Sequence, residues 1–334
     1  MVLPVGASAT GGAIVTPRAA VVIVTYNSAS CIGDCLRALE GQGEVWVVDN
    51  ASADDTCRRV RAAAPRVGLI RNRSNRGFAA AVNQGIQASR APLVLLMNPD
   101  VRLQSSLDPL IEECGRPGGA AAAGRLRPAD GGGQTGFNIR NFPTAGTLAC
   151  EVLMLNRLWP SNPLNRRYRR LDFDPEQSQD VEQPAGALLM VRREVLEEIG
   201  GLDERFYPLW FEDVDLCLRI RRAGYRIRYV PGCVAQHGGA HSLASMTLEE
   251  RFLAWYGNLL RFSCKHYSKR TSRWLRAMVS TGLACRWLAC FAGLGTAQER
   301  AAYGVVFGRL DDDFLLRGQE AELGTGTLSR PGTT

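Results

Sequence analysis

The sequence predicts an α/β fold in which a mixed, mainly parallel sheet is flanked by helices and followed by a C-terminal helical appendage. Two observations carry this prediction. Short runs of apolar, β-branched residues alternate with helix-forming segments between residues 20 and 97. Polar residues directly follow several of these runs, as they do at the carboxyl edge of an open α/β sheet, where ligands bind.

The strands and helices of the first half follow one another in strict alternation. Residues 20–26 are apolar and β-branched and predict a strand, after which Asn27, Ser28 and Ser30 can cap a helix through Leu39. The same reasoning predicts strands at 44–49, 67–71 and 93–97 and helices at 54–64 and 78–89. This alternation is typical of a doubly wound, Rossmann-like half.

The strand at 93–97 organises the predicted site. Its five residues are all apolar, which indicates a strand buried on both faces of the sheet. Asn98, Pro99 and Asp100 follow it directly, and Pro99 cannot continue a central strand. The sequence therefore places the carboxylate of Asp100 at the rim of the sheet, on a stiff turn.

The second half is less regular. Residues 141–183 are rich in Pro, Asn and Arg and predict a long, partly mobile excursion, and the N-terminal and C-terminal tails are predicted to be disordered. Gly131–Gly133 resembles a hairpin tip between 125–126 and 135–137. The predicted strands are 187–192, 225–230 and 233–237, and the predicted helices are 107–114, 193–199, 211–223 and the region 248–307.

Composition restricts the compartment and the partners. The net charge of +7 is concentrated in two clusters, within 157–170 and 261–276, which suit phosphates of a substrate or of a membrane surface, or are solvated helix faces. Ten scattered cysteines without CxxC spacing, and an N-terminus without a signal-peptide layout, indicate a cytoplasmic protein. Arg286 interrupts the apolar stretch 278–295, which therefore predicts an amphipathic or buried helix rather than a membrane span.

Three groups at the predicted rim could bind a ligand. Asp49 and Asp100 both end strands, so they face one crevice if the sheet is parallel. An aspartate at a strand end is more often a simple turn-former. The Asn75–Arg76–Gly77 turn beside them favours a ligand-binding role over a simple turn, because a guanidinium next to a helix start suits a diphosphate.

A second acidic group opens the predicted helix at 211–223. Glu212, Asp213 and Asp215 could simply complement the helix dipole. Trp210 and Phe211 precede them, however, and an apolar setting raises the pKa of a carboxylate toward useful base strength. Helical spacing places Glu212 and Asp215 on one face and Asp213 on another, so they can perform different tasks.

Histidine is rare in this chain, and His237 follows a predicted strand. A histidine in such a place is more often structural or exposed than functional. With Asp100 nearby, His237 becomes a candidate second ligand for Mg²⁺ or Mn²⁺, and an imidazole ligand favours Mn²⁺.

Taken together, these segments resemble family 2 glycosyltransferases of the GT-A fold, in particular bacterial rhamnosyltransferase-like members. The resemblance covers about residues 20–265, and the order of its segments is far more specific than any one of them. The matching segments are 22–28 (VIVTYNS), 47–52 (VVDNAS), 75–78 (NRGF), 95–100 (LLMNPD), 186–187 (GA), 200–204 (GGLDE), 211–216 (FEDVDL) and 229–231 (YVP).

The resemblance implies a role for each matching residue. The predicted donor site, which holds a nucleotide-diphosphate sugar, comprises Thr25, Tyr26, Asn27, Asp49, Asn75, Arg76, Gly77, Phe78, Asn98 and Asp100. Asp213 matches the base that deprotonates the acceptor hydroxyl, and Trp210, Phe211 and Glu212 are predicted to contact the acceptor. Asp100 and His237 match metal ligands of relatives. A single displacement of this kind inverts the anomeric configuration.

One departure from the family pattern concerns the metal. The DxD position reads Asn98–Pro99–Asp100, so a single carboxylate is present and the diphosphate must supply much of the coordination. We still expect dependence on Mg²⁺ or Mn²⁺. The domain organisation implied is a GT-A domain at 19–245, with a nucleotide-binding half (19–105) and an acceptor half (106–245), then C-terminal helices (246–317) between tails at 1–18 and 318–334.

The sequence therefore predicts an inverting glycosyltransferase that moves a sugar, such as rhamnose, to a glycan or lipid-linked glycan in cell-surface polysaccharide synthesis. The alternatives are another hexose donor or a non-catalytic nucleotide-sugar-binding protein. An NAD-type oxidoreductase lacks support because no GxGxxG follows the first strand. The basic stretch 261–276, with Phe262, Tyr267 and Trp274, predicts peripheral contact with an anionic inner leaflet or a solvated helix, and no nucleic acid partner is expected.

Overall fold

The first half of the protein follows the predicted alternation of strands and helices. The computed structural model describes residues 2–3, 17–129, 138–238 and 246–309. Its strands are β1 (Val2–Leu3), β2 (Ala19–Thr25), β3 (Glu44–Asp49), β4 (Gly68–Arg71), β5 (Leu93–Met97), β6 (Val101–Leu103), β7 (Gly119–Pro128), β8 (Ile139–Arg140), β9 (Gln179–Asp180), β10 (Gln183–Pro184), β11 (Leu188–Arg192) and β12 (Arg226–His237).

Helices cover both faces of the sheet and form the C-terminal part. They are α1 (Ile32–Arg37), α2 (Thr56–Ala63), α3 (Phe78–Ala88), α4 (Asp108–Gly115), α5 (Ala145–Val152), α6 (Leu155–Leu158), α7 (Pro163–Arg169), α8 (Arg193–Ile199), α9 (Glu212–Arg222), α10 (Leu248–His266), α11 (Lys269–Phe291) and α12 (Ala297–Arg309). None of the helices in the described ranges combines the length and the apolar character that a membrane span requires.

A mixed sheet of ten strands forms the centre of the fold. Its order is β1-β4-β3-β2-β5-β11-β7-β12-β6, with β9 pairing with β12. Strands β4, β3, β2 and β5 are parallel, β11 is antiparallel to β5 and β7, and β12 is parallel to β7. This arrangement confirms the predicted mixed, mainly parallel sheet, and the carboxyl ends of β2, β3 and β5 share one edge.

The central strands are buried on both faces, as their apolar runs predict. Successive side chains of a strand point to opposite faces. In β5, Leu95 and Met97 belong to one hydrophobic cluster, whereas Val94 and Leu96 belong to the cluster on the other face. All five residues of this strand are buried. The turn that carries Asp100 therefore starts from a rigid, closely packed element.

The cap predicted for α1 is wrong. The helix begins at Ile32, and its N-cap residue Cys31 makes no side-chain capping hydrogen bond. The polar side chains before it are used elsewhere: Asn27 Oδ1 accepts a hydrogen bond from the Ala53 N–H (2.8 Å), and Ser28 Oγ lies 3.3 Å from Tyr26 N. Bridges between the β2–α1 and β3–α2 loops thus replace the cap.

The prediction of an irregular excursion at 141–183 is also wrong, because this segment contains α5, α6, α7 and β9. Thr144 caps α5 by accepting from Thr147 N, and Asn162 caps α7, with Pro163 in its first turn. Leu148 and Val152 of α5 then pack against the C-terminal helices. Tertiary burial stabilises helices that show little periodicity in the sequence.

Two smaller differences concern β12 and the C-terminal region. The two short strands predicted around Pro231–Gly232 form one strand, β12, whose register against β7 shifts between Val230 and Val234. The continuous helical region predicted at 248–307 is divided into three helices, with Ser268 capping the second. Three predicted features lie outside the described residues: the hairpin tip at 131–133, His241, and all of the tails except residues 2–3 and 17–18. Residues 2–3 form β1, which pairs with β4.

The C-terminal helices pack on the body through a third hydrophobic cluster. Phe211 and Val214 of the α9 region and Phe262 of α10 belong to it. At Gly282 in α11, a Cβ atom would lie 2.1 Å from the backbone oxygen of Val152. The absence of a side chain at Gly282 therefore permits α11 to approach α5 closely.

We expect Gly282→Ala to destabilise the protein, although alanine usually favours a helix by about 1 kcal/mol over glycine. The new methyl group forces α11 away from α5, an overpacking cost of about 1–3 kcal/mol. Thermal unfolding measures the loss. Gly308→Ala in α12 is the matched control, because nothing lies within 4 Å of its Cβ position. Equal melting temperatures for the two variants would contradict the close packing.

Candidate active site

Asp49 ends β3 and is held almost completely inside the protein. Its side chain accepts hydrogen bonds from Thr25 Oγ1 (3.0 Å) and Ser52 Oγ (2.6 Å) at Oδ1 and from Ser52 N (3.1 Å) at Oδ2. Asp49 is only 1% exposed. Of the predicted donor-site residues, Thr25 and Asp49 therefore bind each other, and Asn27 fixes the neighbouring loop.

The Asn75–Phe78 turn connects this edge of the sheet to a distant loop. Asn50 holds the turn, because its Oδ1 accepts from Arg76 N (3.2 Å) and its Nδ2 donates to Gly77 O (3.0 Å). On the other side, Phe78 N donates to Pro208 O (2.8 Å). A Cβ at Gly77 (φ +83°) would lie 2.7 Å from the Tyr207 ring, so this close approach requires glycine.

Arg76 is the charged residue of this turn. Its side chain is exposed and makes no ion pair within the described part of the chain. The turn leads directly into α3, whose first backbone N–H groups lack intrahelical partners. A guanidinium at a helix start is suited to an anionic ligand.

Asp100 lies in the turn between β5 and β6 and meets the end of β12. The Gly238 N–H donates to Asp100 O (2.9 Å), and His237 Nε2 lies 3.2 Å from Asp100 Oδ1. Both side chains are largely buried, with 6% and 16% exposure for Asp100 and His237. The structure thus brings together the two predicted metal ligands, which are far apart in the sequence.

Asp100 and His237 could hold a divalent cation only together with ligands that other groups supply. A carboxylate oxygen and an imidazole nitrogen are suitable donors for Mg²⁺ or Mn²⁺. Within the described ranges, however, no cluster of three or more His, Cys, Asp or Glu residues could hold a metal ion. A cation at Asp100 and His237 would therefore need further ligands from water or from a bound molecule.

The acidic residues at the start of α9 follow an unusual turn. Trp210 and Phe211 both adopt left-handed backbone conformations, with φ of +77° and +70°. Such conformations are strained for residues with a Cβ and persist only where the surroundings enforce them. Phe211 is packed against Phe262 of α10, with ring centroids 5.5 Å apart. The turn leads into α9 and directs Asp213 toward Gly186, which precedes β11.

Asp213 contacts the segment that precedes β11. Its Oδ2 accepts a hydrogen bond from Gly186 N (3.2 Å), and its Oδ1 accepts from Val214 N (2.8 Å). The next residue, Ala187, accepts at its carbonyl oxygen from Asn98 N (3.2 Å). Two successive residues therefore join Asp213 to the turn that carries Asp100.

The two neighbouring carboxyl groups differ in environment. Burial raises the pKa of Glu212 well above its usual range, and the negative charge of Asp213 raises it further. Its Oε2 is buried without a hydrogen-bond partner among the described residues. Burial also raises the pKa of Asp213, but hydrogen bonds from Gly186 and Val214 and the charge of Arg140 oppose this. Asp213 is thus the better candidate for the ionised member of the pair.

Arg140 is a site residue that the sequence analysis missed. It lies in β8, and its positive charge acts on Asp213. Its Nη1 lies 3.4 Å from the Tyr168 hydroxyl, and its guanidinium carbon is 5.5 Å from the centroid of that ring. Strand β8 has only two residues and directly precedes the segment predicted as irregular, so no sequence pattern indicated this position.

Asp215 is the anchor of α9 and is fully buried. It accepts from Arg219 Nε (2.7 Å) at Oδ2 and from Lys265 Nζ (2.6 Å) and His266 Nε2 (2.7 Å) at Oδ1. Burial alone would raise the pKa of Asp215, but the hydrogen bond from His266 and the charges of Arg219 and Lys265 hold it below its usual value. This network fixes α9 against α10.

A cavity of about 750 Å³ lies beyond β8 and β10, on the side of α7. Two residues of its wall are sequence neighbours of these strands. Asn141 directly follows Arg140 of β8, and Glu182 directly precedes β10. Four arginines line it together with two aspartates and Phe173: Arg166, Arg167, Arg170, Arg221, Asp172 and Asp180. Asp180 is already paired with Arg228 (3.1 Å). The cavity therefore combines four arginines and an aromatic ring with three carboxylates.

Comparison with known sequences decides the family. The profile of a family described as "Glycosyl transferase family 2" matches residues 20–200, and that of "Glycosyl transferase family group 2" matches residues 164–305. The N-acetylglucosaminyl-diphospho-decaprenol L-rhamnosyltransferase of Mycobacterium tuberculosis is 32% identical over 238 residues, which cover 66% of this chain and 76% of that protein. The chain belongs to glycosyl transferase family 2.

Other relatives agree with this assignment. The low-salt glycan biosynthesis hexosyltransferase of Haloferax volcanii is 25% identical to this glycosyltransferase over 213 residues, which cover 62% of each chain. Two solved structures share its fold: a mannosyltransferase from Pyrobaculum calidifontis in complex with GDP-Man and Mn²⁺ (TM-score 0.50, 20% identity, 90% and 83% coverage) and S. aureus TarS 1–349 in complex with UDP-GlcNAc (TM-score 0.50, 15% identity, 89% and 82% coverage). The predicted GT-A fold is therefore confirmed.

We expect Asp215→Ala to destabilise this glycosyltransferase strongly. Removing this carboxylate leaves Arg219 without its counter-charge and Lys265 with Asp203 alone. Breaking a buried ion-pair network in this way typically costs about 3–5 kcal/mol. Asp34→Ala is the control, because its pair with Arg37 is largely exposed and is expected to contribute about 0–1 kcal/mol. Urea unfolding measures both. Similar losses in the two variants would contradict an anchoring role for Asp215.

Proposed function

We propose that this glycosyltransferase moves a sugar, a deoxyhexose such as rhamnose, from a nucleotide diphosphate to a hydroxyl of a lipid-linked glycan in cell-surface polysaccharide synthesis. The rhamnosyltransferase of M. tuberculosis described above supports the sugar and the class of acceptor. One structural observation carries the proposal: Gly186 contacts Asp213 while Ala187 contacts the Asn98–Asp100 turn. A sugar bound at this edge would have the proposed donor site on one side and a carboxylate on the other.

The donor is proposed to lie along the edge formed by β2, β3 and β5. Tyr26 and the Thr25–Asp49 pair would hold the base and ribose, with Asn27 shaping the loop beneath them. Arg76, presented by the Asn75–Phe78 turn, would bind the diphosphate. The nucleotide-binding half at 19–105 and the acceptor half at 106–245 are proposed to meet there, with the helices of 246–317 behind them.

Asp213 is the proposed base. The acceptor hydroxyl attacks the anomeric carbon as its proton passes to a carboxylate oxygen of Asp213, and the bond to the diphosphate breaks on the opposite face of the sugar. The configuration of the anomeric carbon is therefore inverted. Glu212 is proposed to be protonated and to orient the acceptor as a hydrogen-bond donor, with Trp210 and Phe211 shaping the wall. A positioned base of this kind contributes about 10²–10⁴-fold to the rate.

Mg²⁺ or Mn²⁺ is the proposed cofactor, with Asp100 and His237 as its protein ligands and Asn98 in the same turn. When bound, a divalent cation would neutralise the diphosphate and make it a better leaving group. The chain's own contribution is to hold a carboxylate and an imidazole 3.2 Å apart at the sheet edge. The Mn²⁺-containing structure of the P. calidifontis mannosyltransferase is a further reason for this proposal.

The acceptor is proposed to approach from the side of the arginine-lined cavity. Its guanidinium groups suit the phosphates of a lipid-linked glycan. Such an acceptor also implies a place of action, the cytoplasmic face of the plasma membrane, which the protein would contact peripherally. A different hexose donor is the second candidate, favoured by the similarity to the H. volcanii hexosyltransferase.

We expect Asp213→Asn to lower kcat by about 10²–10⁴-fold, because an amide cannot accept the proton. Binding of the nucleotide sugar, measured by calorimetry, should stay nearly unchanged. Glu212→Gln is the matched variant, and it should retain most of the activity because a neutral amide resembles a protonated carboxyl group.

A screen of nucleotide sugars with a polyprenyl-diphospho-sugar acceptor provides the activity assay, and product stereochemistry by NMR tests inversion. Loss of donor binding in Asp213→Asn would assign Asp213 to the donor site. A larger loss of kcat in Glu212→Gln than in Asp213→Asn would reverse their roles. Binding without transfer for every donor would favour a non-catalytic nucleotide-sugar-binding protein.

The metal proposal predicts that Mn²⁺ binds the protein only together with a nucleoside diphosphate. Calorimetric titration of Mn²⁺ should give weak or no binding to the free protein and clear binding in the presence of the nucleotide, because the described part of the chain offers only two ligands there. His237→Ala should weaken the ternary complex, and Asp100→Ala should weaken it further. Full activity in excess chelator would overturn this proposal.

A further inference from the structure

Large apolar side chains remain exposed in two short segments. One is the end of α11 and the turn that follows it, and the other is α6 with the next residue. We call the two together the apolar patch. Its members, with their exposed fractions, are Leu155 (43%), Leu158 (81%), Trp159 (61%), Trp287 (38%), Leu288 (59%), Phe291 (58%) and Leu294 (82%). Apolar groups of this size rarely gather on a surface without a partner.

The two segments of the apolar patch are neighbours in space. Arg286 of α11 donates hydrogen bonds to the backbone oxygens of Val152 and Glu151, at the end of α5 and just before α6. Arg157 of α6 in turn lies within electrostatic range of Glu299 in α12. The start of α6 therefore lies near α11, and Arg157 of α6 lies near α12, which places the two segments of the patch on the same side of the protein.

The helices that lead to the patch contain a long stretch of sequence without acidic residues, and Glu299 of α12 is the acid that lies within electrostatic range of Arg157. No Asp or Glu occurs between residues 251 and 298, a range that contains eight Lys and Arg residues. On α11, exposed residues recur every three or four positions from Arg270 and Arg273 through Trp274 to Leu288 and Phe291. One face of this helix is therefore basic at its beginning and apolar at its end.

This surface differs from the stretch 261–276 that the sequence indicated. Arg261 is 8% exposed, Phe262 is fully buried, and Lys265 is bound to Asp203 and Asp215. The Tyr267 hydroxyl donates to Pro143 O (2.6 Å). These groups therefore hold α10 to the body of the protein, and the exposed cations of the stretch, Lys269, Arg270 and Arg273, belong to α11.

We propose that the apolar patch docks onto an anionic lipid bilayer, with the basic beginning of α11 against the headgroups. Tryptophan and exposed leucine and phenylalanine side chains suit the boundary between headgroups and acyl chains. The Lys and Arg residues at the beginning of α11, a helix that contains no Asp or Glu, match an anionic leaflet. This membrane-docking surface extends the proposed function. It rests on that function in one respect: a lipid-linked acceptor gives the reason why the enzyme would bind a membrane.

Flotation of the full-length protein with vesicles tests this proposal. Vesicles of two parts phosphatidylcholine to one part phosphatidylglycerol should bind it, and vesicles of phosphatidylcholine alone should bind it less. The double variant Trp159→Ser/Leu294→Ser should lower the bound fraction by roughly tenfold or more. Arg270→Gln/Arg273→Gln should remove the preference for the anionic lipid. Arg59→Gln/Arg66→Gln, which removes two exposed charges elsewhere, should bind like the wild type.

Three results would overturn the inference: no flotation of the wild type, equal flotation of the patch variant, or a wild-type dimer that the patch variant converts to a monomer without any vesicle binding. The last result would make the patch a contact between copies of this chain. Transfer to a soluble acceptor without a lipid should be unchanged in the patch variant. Failure of the proposed function would instead appear as absent transfer in the wild type, whatever the vesicles show.

Discussion

The buried carboxylate of Asp215 is the constraint on which the candidate site depends. Three cationic or hydrogen-bonding side chains converge on it, from its own helix and from α10. A buried carboxylate requires such partners, because a charge without them is expensive in a protein interior. Since Asp213 lies two residues earlier in the same helix turn, the position of the proposed base follows from this contact between α9 and α10.

The sequence was sufficient for the parts of the fold that depend on local pattern. The alternation between residues 20 and 97 predicted the parallel strands, because a strand buried on both faces must be apolar throughout. It also located Asp49, Asp100 and Asp213, since polar residues at strand ends and helix starts are visible without a structure. The shared edge of Asp49 and Asp100 followed from the parallel arrangement of β2, β3 and β5.

Interactions between distant segments could not be predicted in this way. The Ser28 cap failed because loop-to-loop hydrogen bonds replaced it, and α5 was missed because its stability comes from packing against α11 rather than from its own periodicity. Arg140 lies in a strand of two residues, too short to leave a pattern. His266 gave no signal either, because its role depends on a carboxylate 51 positions away in the chain. Only folding reveals such partners.

The loop at 207–211 has a consequence for engineering. It receives a hydrogen bond from Phe78 N at Pro208 O, and Asn258 Nδ2 donates to Tyr207 O (3.1 Å) and Leu209 O (2.8 Å). The loop is therefore fastened at once to the first half of the chain and to α10. A chimaera that exchanges the first half for that of a relative must keep the Gly77–Tyr207 contact, so specificity for the donor cannot be transplanted as an independent module.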